Sequence, residues 1–332
     1  MSSVQSAPCT RNSGFSPRSA SVPDARIAVV GATGAVGAVT MRLLRERGHE
    51  NVRAFASARS AGRTLDGGIV VEEATPEALA SAGVELALFS VGTSASRELV
   101  PHAVRGGAVV VDKSSAYRLE PGVPLVVPEV NGERAREHDG VVANPNCCAI
   151  PLTCVLGPLH EAAGLKSVRV STYQAVSGKG ATRMEELLAE PPAEHDLAMD
   201  WSWEGDETDE ESKLRSETRK ILELPELPIS ATTVRVPVLV GHAEAVWVEL
   251  EEPLSPEQAA AVLGAAPSVR LVEVPTPGAA AKTDDVLVGR IRPDRAGGNG
   301  LVLFLACDNL NKGAALNAIQ IAELLLGDRV AA

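Results

Sequence analysis

The segment from Ile27 to Arg47 constrains the fold more than any other. Ile27-Ala28-Val29-Val30 is a short apolar run with the pattern of a strand buried on both faces. It leads directly into Gly31-Ala32-Thr33-Gly34-Ala35-Val36-Gly37 and then a helical pattern over Ala38–Arg47. Strand, glycine-rich turn and helix make a cradle for phosphate. Glycine lets the backbone approach closely, and the free N–H groups of the helix start stabilise the charge. The spacing is G-x-x-G-x-x-G, a variant of the dinucleotide fingerprint; turns of this kind also serve packing alone.

The next elements narrow the choice. Val52–Ala56 reads as a second strand ending in Ser57-Ala58-Arg59-Ser60. A turn selective for NAD carries an acidic residue near here for the ribose 2′-hydroxyl. Hydroxyls and an arginine suit a 2′-phosphate instead, so NADP(H) is the expected cofactor. Val84–Val91 and Ala108–Val111 are further strand candidates, with a helix between them running through Val104. This alternation predicts a parallel, doubly wound sheet. Beyond residue 160 the pattern changes. Ser167–Val176, Ile229–Leu239, Ala243–Leu250, Val269–Glu273, Val286–Ile291 and Leu301–Ala306 are strand runs with few helices. They predict an antiparallel sheet in a second, α+β domain. Gly313–Leu326 is a helix expected to pack back on the first domain.

Between the two patterns lies Ala143-Asn144-Pro145-Asn146-Cys147-Cys148-Ala149-Ile150, followed by apolar residues at helical spacing. It predicts a thiol in the first turn of a helix, where unpaired N–H groups and the helix dipole favour thiolate. Cys147 and Cys148 are expected at adjacent helix positions, whose side chains diverge by about 100°, so only one faces a site. The other cysteines, at 9, 154 and 307, lack framework or metal-ligand spacing; no metal is expected, and a reducing cytoplasm is.

Acidic residues outnumber basic ones, 43 to 31, for a net charge of −12. That argues against nucleic acid and anionic membrane surfaces as partners, while leaving room for a local cationic pocket. No apolar run approaches the ~20 residues of a membrane span. The acidic run from Glu204 to Glu211 is expected to be mostly solvated surface, with a helix resuming over Lys213–Leu222.

Five motifs occur in order: Gly31–Gly37; Asn144-Pro145-Asn146-Cys147; Ser171-Thr172-Tyr173-Gln174-Ala175-Val176-Ser177-Gly178; Val234-Arg235-Val236-Pro237 with Gly241-His242; and Lys312-Gly313-Ala314-Ala315. Together they resemble the aspartate-β-semialdehyde dehydrogenase family over nearly all of residues 26–328. The resemblance implies an α/β fold, with a Rossmann-like NADP-binding domain over 26–145, completed by the C-terminal helix 311–330. A catalytic and dimerisation domain over 146–310 would be α+β. Residues 1–25, rich in Ser, Pro and Arg and without the apolar middle of a signal peptide, are expected from their composition to be a disordered tail. The resemblance also implies roles. Cys147 is the nucleophile, Gln174 orients the acyl intermediate and His242 is the acid/base. Arg235 holds the substrate carboxylate and Glu210 the amine. Arg118, Asn146 and Lys213 bind phosphate. Gly31, Thr33, Gly34, Ala35, Val36, Gly37, Arg59, Ser60, Ser177, Gly178 and Asn309 belong to the cofactor site.

The implied reaction is reductive dephosphorylation of L-aspartyl-4-phosphate to the semialdehyde through a cysteine thioester. It serves lysine, threonine, methionine and diaminopimelate biosynthesis in a homodimer or a tetramer of dimers. The rival readings are N-acetyl-γ-glutamyl-phosphate reductase, a paralogue acting on a related acyl phosphate, and a dinucleotide-binding sensor without the chemistry. The chain departs from the family pattern at Lys179, at Asn311 and over 195–209, where it is shorter, Trp-bearing and acidic.

Overall fold

The computed structural model describes residues 25–191 and 195–331, with side chains through Gly327. The expected tail, with Cys9 in it, lies outside the described residues except for Ala25, which is buried in the core.

The first half builds a six-stranded sheet. Its elements are β1 (Ile27–Val30), α1 (Ala35–Glu46), β2 (Val52–Ala56), β3 (Val71–Glu73), α2 (Pro76–Ala80), β4 (Leu86–Phe89), α3 (Thr93–Arg105), β5 (Val109–Asp112), α4 (Pro128–Asn131) and β6 (Val141–Ala143). The strand order is β3-β2-β1-β4-β5-β6, and every pair is parallel. The order reverses between β1 and β4, which opens a crevice at the carboxyl edge where ligands bind in such sheets. β1, β4 and β5 are buried at every position, as strands covered on both faces must be.

The second half comprises α5 (Ala149–Ala163), β7 (Leu165–Gln174), α6 (Ala181–Ala189), β8 (Trp203–Glu204), β9 (Glu207–Thr208), α7 (Asp209–Leu222), β10 (Ile229–Arg235), β11 (His242–Leu250), α8 (Pro256–Gly264), β12 (Val269–Leu271), α9 (Pro277–Ala280), β13 (Val286–Pro293), β14 (Gly300–Cys307) and α10 (Asn317–Ala331). Its large sheet runs β10-β7-β11-β14-β13-β12. The antiparallel expectation needs correcting: β10 pairs with β7, and β12 with β13, in parallel. The connection from β7 to β10 contains α6 and α7, a crossover long enough for parallel return. One face of this sheet packs against α5, α7 and α8 through a core that includes Leu152, Leu156, Val168, Leu214, Val246 and Leu303.

Three further expectations shift. α1 begins at Ala35 rather than Ala38, so the helix start lies inside the glycine turn. The last helix opens with a π-helical turn over Asn311–Leu316 before α10. Leu316, Ile319, Ala322 and Leu326 then pack with Ile27, Val29 and Leu88 of the first sheet, and Arg47, the C-cap of α1, grips Glu323 with two 2.6 Å bonds. Finally, the acidic run is not simply solvated. Glu210 and Glu211 are each 7% exposed. Glu211 closes a capping box with Thr208 and accepts the Thr233 N–H, which starts α7 at Asp209. Among the described residues, no helix is long and apolar enough to cross a membrane.

Candidate active site

A cavity of about 360 Å³ runs from Val36 on the glycine turn to Cys147 and on to Arg235. It draws on both sheets, with Ser90 and Val91 after β4, Lys113 and Arg118 after β5, Gln174 at the end of β7, and Glu210 and Lys213 on α7.

The three glycines of the turn differ in function. Gly31 has φ +86°, and a Cβ there would lie 2.4 Å from the Ser90 carbonyl. A Cβ on Gly37 would lie 2.0 Å from the Gly31 carbonyl, so this glycine lets α1 close on the turn. A Cβ on Gly34 would meet only the Gly31 carbonyl, at 3.4 Å. Gly34 is also the N-cap of α1, with no side-chain cap and no acidic residue in the first turn. The geometry therefore fits a dinucleotide pyrophosphate, with helix-start N–H groups available to it. Thr33 bonds Ser60 across to the β2 loop at 3.3 Å. Arg59 is exposed beside it, outside the cavity lining.

Cys147 lies not in the first turn of α5 but one residue before its N-cap, Cys148. The Cys148 N–H bonds Asn146 Oδ1 at 2.8 Å, and the Asn146 carbonyl accepts the Ile150 N–H at 3.1 Å. The two cysteines differ in burial: Cys147 reaches the cavity, while Cys148 is 1% exposed. Their sulfurs and a His242 ring nitrogen lie within 4.8 Å of one another. A hydrogen bond from Cys148, with further help from His242 and Arg118, holds the Cys147 thiol well below the ordinary range despite burial. Burial and the neighbouring Cys147 charge push Cys148 well above it.

His242 begins β11 and lies behind Gly178; a Cβ on Gly178 would be 3.6 Å from His242 Nε2. The Ala175 N–H donates to Nδ1 at 2.9 Å. That bond assigns the ring proton of the neutral form to Nε2. On the other side of the thiol, a Cβ on Gly313 would lie 3.4 Å from Cys147 Cβ, so the last helix approaches the nucleophile closely.

A buried polar lattice holds the remaining groups. Glu210 Oε1 accepts from Asn146 Nδ2 at 2.9 Å and from Gln174 Nε2 at 3.0 Å. Thr172 Oγ1 fixes the other end of Gln174. Arg118 donates to Glu217 at 2.9 Å and to the carbonyls of Lys113 and Asn144. Glu217 Oε2 accepts the Asn146 N–H at 2.6 Å. Burial raises the Glu217 carboxyl, with Arg118 opposing. Lys213 lines the cavity and pairs with Asp209 at 2.6 Å. Asn309 bonds Ser177 and accepts the Gly241 N–H at 2.9 Å.

Two functional candidates escape sequence reasoning. Glu217 follows Glu210 and Leu214 along the buried face of α7, a spacing that could have flagged it. Lys113 lines the cavity; its Nζ is buried without a hydrogen-bond partner among the described residues, and burial brings it down to about 7. No spacing rule marks it. A further buried acid, Glu244, lies two residues beyond His242 on β11, and burial holds its carboxyl well above the usual range.

The comparisons agree with this architecture. Residues 26–138 match the family model described as semialdehyde dehydrogenase, NAD binding domain, and residues 156–203 and 202–312 match the semialdehyde dehydrogenase dimerisation domain. The aspartate-semialdehyde dehydrogenase of Mycolicibacterium smegmatis is 46% identical over 342 residues, covering 91% of this chain and 99% of that protein. The crystal structure of aspartate semialdehyde dehydrogenase II from Vibrio cholerae, complexed with ASA, superposes with a TM-score of 0.86 at 36% identity, covering 91% of this chain and 98% of that one. The Candida albicans enzyme, solved with NADP, gives a TM-score of 0.74 at 26% identity, over 92% of this chain and all (100%) of that one. This chain belongs to the aspartate-semialdehyde dehydrogenase family.

Proposed function

We propose that the chain is an NADP-dependent, phosphorylating aspartate-semialdehyde dehydrogenase that works through a thioester on Cys147. The observation that carries this reading is the convergence on one cavity of a thiol held low, a histidine behind it and several cations.

In the biosynthetic direction the Cys147 thiolate attacks the acyl carbon of L-aspartyl-4-phosphate, and the carbon–oxygen bond to phosphate breaks. Arg118, Lys213 and Lys113 neutralise the leaving phosphate, with Asn146 beside them. Gln174, pinned at both ends, orients the thioester carbonyl. NADPH, held by the glycine turn and the β2 loop, would supply the hydride that reduces that carbon. His242 Nε2–H donates a hydrogen bond that stabilises the resulting alkoxide; as the alkoxide collapses to the aldehyde carbonyl the carbon–sulfur bond breaks, which releases the semialdehyde and restores the Cys147 thiolate. Arg235 binds the substrate carboxylate and Glu210 the amine.

The β2 loop supports the choice of NADP, since Arg59 and Ser60 stand where an acidic residue would favour NAD. Thr33–Val36 bind the pyrophosphate, with Gly31 and Gly37 shaping the turn; Ser177, Gly178 and Asn309 lie at the thiol end. The NADP complex of the Candida albicans relative points the same way, as does the ASA complex of the Vibrio cholerae relative for the substrate. Residues 26–145 with 311–330 form the cofactor unit, and 146–310 the catalytic and dimerisation unit. A homodimer, or a tetramer of dimers, forms through the latter. The product feeds lysine, threonine, methionine and diaminopimelate synthesis.

The test is phosphate-dependent reduction of NADP with aspartate semialdehyde, run beside N-acetylglutamate semialdehyde and beside NAD. Activity with aspartate semialdehyde and NADP is expected. Activity confined to the acetylated substrate would assign the chain to the reductase branch, and binding of NADP without turnover would make it a sensor.

A further inference from the structure

Two departures from the family pattern, Lys179 and the acidic 195–209 segment, meet at one residue. Ala198 and Arg235 form an isolated antiparallel bridge, with N···O distances of 2.8 and 2.7 Å, which lays the segment across the end of β10. This puts the Asp200 carboxylate 3.2 Å from Arg235 Nε. Lys179 Nζ holds Asp200 from the other side, 3.2 Å from its carboxylate and 2.8 Å from its carbonyl. The Trp201 ring lies over the Arg235 guanidinium at 4.5 Å, and Arg235 Nη1 donates to the Ala175 carbonyl at 3.0 Å. Trp201 and Arg235 both line the cavity.

Resting on the reading of Arg235 as the carboxylate clamp, we propose that Asp200 sets the affinity of the substrate site, as an internal carboxylate that competes with the substrate's carboxylate for Arg235. The burial contrast supports exchange. The Arg235 side chain is 7% exposed and fixed, whereas that of Asp200 is 32% exposed and has Lys179 as an alternative partner. A substrate carboxylate displaces Asp200 from Arg235, and Lys179 keeps the displaced charge paired. When no substrate is present, Arg235 is not left as a buried unpaired cation, which would be costly. The arrangement weakens binding of carboxylate-bearing semialdehydes and leaves the phosphate subsite, built on Arg118 and Lys213, untouched.

The test is steady-state kinetics of Asp200→Asn, an isostere without the charge, with aspartate semialdehyde, NADP and inorganic phosphate. The KM for the semialdehyde should fall about threefold to tenfold, the scale of a partly exposed ion pair. The KM for phosphate should stay within about twofold, since that subsite is separate. Asp200→Glu should restore the parent KM. In an Arg235→Lys background, Asp200→Asn should lose most of its effect. An unchanged or raised semialdehyde KM in Asp200→Asn overturns the proposal. So does a parallel change in both KM values, which marks a purely structural strap. Arg235→Lys alone separates the premise: if it leaves the semialdehyde KM unchanged, the clamp reading fails, whereas a raised KM there with a silent Asp200→Asn sinks only the inference.

Discussion

Lys113 shows how much one side chain can reveal about a site. It lines the cavity close to Arg118, and burial lowers its ammonium to about 7 from an ordinary 10.5. Between those values the unfolded chain holds the proton and the folded chain does not. Stability must therefore rise with pH across that window, the cost being full below about pH 7 and absent above about 10.5. Lys113→Met should remove that slope. It should stabilise the protein by roughly 2–4 kcal/mol at pH 7, with the gain fading toward pH 10, as urea unfolding at a series of pH values would show. If Lys113 belongs to the phosphate subsite, the same variant should bind phosphate more weakly. A gain in stability joined to a loss of binding is the expected mark of a functional rather than a structural lysine. The cysteines make a related point. Their adjacency suggested divergent side chains on one helix, yet both precede α5, and it is burial and hydrogen bonding that separate their chemistry.

At the scale of elements, the strand and helix types were legible because their signals are local. The β1–α1 turn and the parallel order follow from β-branched runs alternating with helical ones, and the structure keeps them within a few residues. The sheet of the second half departs from the antiparallel expectation because parallel pairing of β10 with β7 depends on a crossover that local periodicity does not encode. The acidic run is exposed over 204–206 but departs from a solvated face at its end for a similar reason: Glu210 and Glu211, like Glu217 further along α7, are buried because their partners, Asn146, Thr233 and Arg118, come from distant elements. Long-range pairing also fixes the last helix. Lys312, fully buried on the π-helical turn, bonds Glu129 of α4 at 2.6 Å and Gln320 at 2.8 Å. Lys312→Met strands the buried Glu129 carboxylate and should destabilise the fold by about 3–5 kcal/mol. Adding Glu129→Leu should recover part of that loss in the same urea titration. A single variant as stable as the parent would show that the pair does not anchor the helix.

Across the whole molecule, the catalytic parts come from chain segments nearly three hundred residues apart. The glycine turn, the Cys147 loop, the ends of β7, β10 and β11, α7 and the Gly313 turn meet only because two sheets present their edges to one cavity. Residue identities along the chain were enough to name most of these parts through family resemblance. They were not enough to reveal the Asp200–Lys179–Arg235 cluster, whose members are linked only by folding. In the proposed reaction Cys147 carries the acyl group to phosphate. This role is tested most directly by mixing enzyme, aspartate semialdehyde and NADP without phosphate, then quenching for peptide mass spectrometry. A thioester on Cys147 predicts a burst of about one NADPH per active site, an aspartyl adduct on Cys147, and steady turnover only when phosphate is added. Cys147→Ser should abolish both burst and adduct, and Cys148→Ser should keep them. An adduct on Cys148, or sustained turnover without phosphate, would contradict it.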